Sequence, residues 1–144
     1  MIFLKKKRAV RLPLGESQIR RAAELALART GAPPEADLTL VFTDDAGIRK
    51  FNSQFLGIDE PTDVLSFPAG FNDPDTAHPY LGDVIISVPR ALAQSEENGQ
   101  DVRDEIRLLV VHGVLHLLGY DHADEAEKAA MWSIQAKIID ELKP

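Results

Sequence analysis

Three of the chain's four histidines, His112, His116 and His122, fall within eleven residues. Residues four apart on an α-helix lie on one face, one turn apart, so His112 and His116 can aim two imidazoles at one point. Gly119 can adopt a positive φ and turn the chain back after the helix, which brings His122 to the same point. Three nitrogen ligands with an open fourth position describe a catalytic zinc site, whose chemistry is the activation of water for hydrolysis. The stretch from Ile106 to Leu118 is otherwise nearly all apolar. Unliganded histidines buried there would be costly, which favours metal binding over core packing. The expected cofactor is one Zn2+ per chain. The fourth histidine, His78, lies among prolines and acids and reads as an ordinary loop residue.

Around this centre the sequence offers carboxylates and bases. Asp83, after Gly82 at the start of a strand, is the candidate catalytic base, and Asp63 reads mainly as a turn residue. Asp121, between ligand neighbours, is expected to orient a histidine through its ring N–H. Glu105, seven residues before His112 on nearly the same helix face, is a second candidate for that supporting role. Tyr120 can stack on a base or pack the turn. The spacing H-x-x-x-H-x-x-G-x-x-H also matches the metzincin proteases, which carry glutamate after the first histidine as general base. Here that position is Gly113, which cannot move a proton.

These residues need elements to position them. Ser17 can cap a helix with Ile19, Ala22, Ala23, Ala26 and Leu27 on one stripe, ended by Gly31. Leu38 to Phe42 reads as a strand. Asp44 or Thr43 caps a short helix bearing Ile48, Phe51 and Phe55. Val64 to Phe67 is a strand stopped by Pro68, and residues 69–80 read as a long polar loop. Asp83 to Val88 is a further strand, and residues 1–10 hold another. Helices follow from Pro89 to Gly99, from Asp101 to Gly119, and from about Asp124 onward, the last with Met131, Ile134, Ile138 and Leu142 on one side. The expected fold is α+β. A small mixed sheet of about four strands packs with about five helices around a zincin-like three-histidine site, in one domain spanning 1–144.

Composition narrows the setting. The chain has 144 residues, no cysteine and a net charge of −7. Disulfides and thiolate metal sites are therefore excluded. Ile2-Phe3-Leu4 before Lys5-Lys6-Lys7-Arg8 is too short for a signal peptide's apolar core, and the expected location is cytoplasmic. Leu108 to Leu118 is too short to cross a bilayer. Residues 1–30 carry a local charge of +6, and the other 114 carry −13. A nucleic-acid contact should therefore be local, with the N-terminal third the place for it. The competing reading of Lys5 to Arg8, a solvated edge strand protected from aggregation, is the preferred one on charge alone.

With these motifs in view, the chain resembles the YbeY family of bacterial endoribonucleases over nearly its whole length. His112-Gly113-Val114-Leu115-His116-Leu117-Leu118-Gly119-Tyr120-Asp121-His122 matches the family's H-G-x-L-H-L-x-G-Y-D-H. Pro61 to Pro68 matches P-T-D-V-L-S-F-P, and Leu81 to Ser87 resembles L-G-D-I-x-I-S. The resemblance implies a zinc-dependent, single-strand-specific RNase acting in 16S rRNA 3′-end maturation, late 30S assembly and ribosome quality control. It implies single-stranded RNA, 16S rRNA and the 30S subunit as partners. One departure stands out: where the family commonly has arginine before the P-T-D stretch, this chain has Leu56. Arg49 and Lys50, earlier on the same short helix, are possible substitutes for phosphate binding. The alternatives are a small metzincin-like metalloprotease and an assembly factor whose metal is mainly structural.

Overall fold

A computed structural model describes residues 1–143. Four strands and five helices follow in the order β1 (Ile2–Lys6), α1 (Glu16–Arg29), β2 (Asp37–Thr43), α2 (Asp45–Leu56), β3 (Val64–Asn72), β4 (Pro79–Ser87), α3 (Val88–Asn98), α4 (Val102–Leu117) and α5 (Glu125–Leu142). The sheet order is β1-β2-β4-β3. β1 and β4 run parallel to β2, and β3 closes the other edge antiparallel to β4. This is the expected mixed α+β architecture.

Helix α4 is the centre of the molecule, packed against α1, α3, α5, β3 and β4. Ile106, Val110, Val111, Val114 and Leu115 are fully buried there, so the helix is apolar nearly all round because neighbours surround it. The strands supply the opposing surface. Leu38, Leu40, Phe42, Val84 and Ile86 join the same core, as every second residue of a strand must when one face is covered. The approach is closest at Gly113, where an added Cβ would lie 2.4 Å from Val84 Cγ1. Ser66 Oγ donates to the Gly113 carbonyl at 3.0 Å. Gly113 therefore sits where helix and sheet touch, and the position allows no glutamate.

Two local expectations need correction. α1 begins at Glu16 after Gly15, which makes no side-chain capping bond, so Ser17 lies within the helix instead of capping it. Pro68 does not stop the third strand. β3 runs on to Asn72, with Pro68 opposite Gly82 and a register shift between Pro68 and Phe71. Proline lacks an N–H, but an edge strand at an irregularity has no need of it. The expected loop 69–80 thus shrinks to a hairpin turn, where Asp73 Oδ1 accepts from the Asp75 backbone N–H at 2.8 Å. Among the described residues, no helix is long and apolar enough to cross a membrane.

Candidate metal centre

Asp101 caps α4 by accepting from the Arg103 N–H at 2.9 Å, and the helix carries His112 and His116 on one face. After Leu117 the chain reverses through Gly119, at φ 95°, while the Tyr120 N–H bonds back to the Leu115 carbonyl at 3.0 Å. The reversal returns His122 to the helix. One ring nitrogen from each of His112, His116 and His122 lies within 4.8 Å of the others.

The donor set fits a metal ion. His112 Nδ1 lies 2.8 Å from Gln135 Oε1. A carbonyl oxygen can only accept, so Nδ1 carries the proton and the lone pair of Nε2 points inward. That Nε2 faces His116 Nε2 at 3.1 Å. Burial holds the His116 pKa below the usual histidine value, and the neighbouring His112 and His122 add to the effect. Neutral imidazoles with converging lone pairs are what a divalent transition metal requires.

The histidines line an open cleft of about 550 Å³. Its opposite wall holds Leu56, Asp63, Val64, Ser66 and Pro68. α5 closes the remaining side: the Trp132 indole stands edge-on to the rings of His112 and His122, each 5.8 Å away between centroids. Trp132 is 43% exposed, and Lys128 Nζ lies 5.8 Å from the indole centroid.

The expected supporting residues are distributed differently. Asp83 does not line the cleft. It adjoins Val84 on β4, and because Val84 faces α4, Asp83 points through the opposite face of the sheet. There the Tyr80 hydroxyl donates to Asp83 and lies 2.6 Å from Thr39 Oγ1. Burial and the bond to Asp83 push the Tyr80 pKa up to about 12. Asp63 does line the cleft, and its Oδ1 accepts from the Val64 N–H at 2.8 Å. Asp121 lines the cleft, but its Oδ1 accepts from the backbone N–H of His122 at 2.7 Å; it shapes the turn. Glu105 is buried, and its pKa is raised first by burial and then by the charge of Asp63. Its charged neighbour is therefore Asp63. Tyr120 lines the cleft and also packs against the core.

Arg49 is committed elsewhere, to Asp59 through bonds of 2.7 and 3.0 Å. Lys50 lies instead in a groove with Lys5 and Phe51. Leu56 is 53% exposed at the cleft rim, outside the core. His78 is not part of the histidine cluster and lies 3.5 Å from Asp37.

Gln135 and Trp132 were missed because they arrive from α5, a separate helix. One signal was present for Gln135. It lies four residues after Met131 and three before Ile138, both fully buried, so a polar group interrupts a buried stripe and needs a partner.

An α+β domain with three convergent histidines in an open cleft defines a class of domain able to hold a metal ion. Comparison with known proteins makes the class specific. The model of the family Endoribonuclease YbeY matches residues 3–143, and the chain belongs to that family. It is 43% identical over 137 residues to a Moorella thermoacetica protein named Endoribonuclease YbeY, covering 88% of each chain. A protein of the same name from Sulfurihydrogenibium is 49% identical over 109 residues, which are 74% of this chain and 70% of that one. A Thermotoga maritima protein solved in solution shares the fold, with a TM-score of 0.67 at 24% identity over 99% of this chain and 89% of that one.

Proposed function

We infer that this protein is an endoribonuclease that hydrolyses phosphodiester bonds in single-stranded RNA, with zinc held by His112, His116 and His122. The observation that carries the reading is the cluster of three histidine nitrogens within 4.8 Å of one another, set in an open cleft in a member of this family. Zinc held there would supply Lewis acidity toward a phosphoryl oxygen and a water made acidic enough to attack. The chain's own residues do the rest. Gln135 fixes the tautomer and orientation of His112. Asp63 keeps Oδ1 on the Val64 N–H, which leaves Oδ2 to take a proton from the attacking water. This assignment replaces Asp83, whose carboxylate is on the other face of the sheet. Trp132 offers an apolar, half-open wall on which a base can stack.

The family points to maturation of the 16S rRNA 3′ end, late 30S assembly and rRNA quality control in the cytoplasm as the setting. The protease alternative lacks its base, because the packing at Gly113 leaves no room for a glutamate.

His116→Ala separates this reading from its alternatives. The expected result is loss of single-stranded RNA cleavage to the level of a metal-free blank, with no cleavage of casein by either protein. Equal RNA cleavage by wild type and variant after stringent purification would mean that the activity belongs to a contaminant.

A further inference from the structure

The face of the sheet opposite α4 is only partly covered by α2. Between α2 and β1 it opens into a groove of about 420 Å³, lined by Lys5, Lys7, Val41, Lys50 and Phe51. Its charge is unusual for this chain. Lys7 pairs with Asp44 at 2.9 Å, and Lys6 turns back to donate to the Val10 carbonyl at 2.8 Å. Lys5 and Lys50 are exposed and form no ion pair among the described residues. A protein of net charge −7 thus presents two uncompensated ammonium groups over an aromatic floor.

A run of aromatic side chains along α2 and β3 lies between the groove and the cleft. Phe51 on its floor stands 6.2 Å from Phe55 between ring centroids, and Phe55 stands 5.4 Å from Phe67. Phe55 is 58% exposed. Phe55 and Phe67 are the chain neighbours of Leu56 and Pro68, which line the histidine cleft. From Phe51 to Leu56 the helix rises only about 7–8 Å. An aromatic run flanked by cations is the recognised means of holding a single strand without regard to sequence, with bases on rings and phosphates on ammonium groups.

We propose that this groove, together with the exposed Phe55 beside it, is a second RNA-binding site, which grips the single-stranded segment flanking the scissile phosphate through stacking on Phe55 and Phe51 and phosphate contacts from Lys5 and Lys50. It rests on the endoribonuclease reading and adds to it. The groove makes up for the absence of a basic residue at Leu56 by holding the strand a short distance along α2. Arg49, tied to Asp59, takes no part.

The test uses metal-loaded protein and a fluorescein-labelled single-stranded oligodeoxynucleotide of about twelve nucleotides, long enough to span groove and cleft. DNA carries the same phosphates and rings without being a ribonuclease substrate, so binding is read apart from cleavage. Lys5→Glu with Lys50→Glu should weaken binding on the order of tenfold and flatten the salt dependence by about 1.4 in log–log slope, for two lost phosphate contacts. Phe55→Ala should weaken it by a similar factor. Lys137→Glu with Lys143→Glu, the same charge change on α5 and just beyond it, should weaken binding far less. In cleavage, the groove variants should raise KM for a long RNA and leave a trinucleotide that fills only the cleft unaffected. Groove variants no weaker than the Lys137/Lys143 control would overturn the proposal, as would equal KM changes for long and short RNA. A wild type that binds the probe through the groove but cuts no RNA would instead fault the endoribonuclease reading.

Discussion

On the α4 side of the cleft, the residues around His112 and His116 are tightly packed, while His122 follows on an exposed turn. Val111, Val114 and Leu115 are fully buried, Gly113 touches the sheet, and Gln135 holds His112. On the α2–β3 side, Leu56 and Phe55 are each more than half exposed, at 53% and 58%, and few neighbours restrict them. The contrast assigns work to each wall. Metal ligation needs side chains held within a fraction of an ångström, and the packed wall carries two of the three histidines proposed to hold the metal. Substrate grip tolerates variation, and the proposed RNA contacts lie on the wall that solvent reaches. A change on the first wall should harm metal affinity or stability, and a change on the second should retune RNA handling with the fold intact.

The largest of these effects beyond loss of a ligand is expected at Gln135. Gln135→Ala removes the acceptor that fixes the His112 tautomer, and metal affinity should fall about 10–100-fold. Gln135→Glu keeps an acceptor and should recover most of it. Competition with a chromophoric chelator measures both. Unchanged affinity in the alanine variant would show that packing alone orients His112.

Next is Gly113→Ala. A new Cβ 2.4 Å from Val84 Cγ1 presses on a β-branched side chain with little rotamer freedom, and overpacking of this kind costs about 1–3 kcal/mol. Thermal melting should register the loss. A variant as stable as the wild type would mean that α4 can move off the sheet, and that the ligand wall is less rigid than its burial indicates.

The smallest effect is expected on the open wall. Leu56→Arg should raise the RNA cleavage rate on the order of tenfold, since a guanidinium at the rim can bind a phosphate oxygen in bidentate fashion. Because Leu56 is exposed, the melting temperature should change little. A marked drop in melting temperature with no gain in rate would place Leu56 in the packing after all and dissolve the distinction between the walls.

The same contrast explains what the sequence revealed. The histidine spacing, Gly119 and the apolar run of α4 are local signals, and the structure assembles them as their spacing implies. The cleft's other walls are long-range products of topology. Along the chain Asp83 reads as the base and Asp63 as a turn residue, and only the alternation of β4, with Val84 turned toward Gly113, sends Asp83 to the far face. Pro68 reads as a strand end until the sheet order shows β3 to be an edge. Gln135 and Trp132 belong to a helix whose docking no local pattern specifies. Lys50 gains its neighbours Lys5 and Lys7 only because β1 lies at the edge beside β2.

The most direct test of the central claim is the metal itself, followed by elemental analysis and by the fluorescence of Trp132, the chain's single tryptophan, 5.8 Å from two of the histidine rings. Chelated protein titrated with zinc near neutral pH should take up close to one equivalent per chain, and the indole emission should change in step. Imidazole must be neutral to bind metal, so uptake should hold above pH about 6.5 and decline as the pH falls below it. The lowered pKa of His116 extends the neutral range of that ligand downward. No zinc above background after dialysis, or uptake that persists in His116→Ala with the same stoichiometry and affinity, would contradict the account.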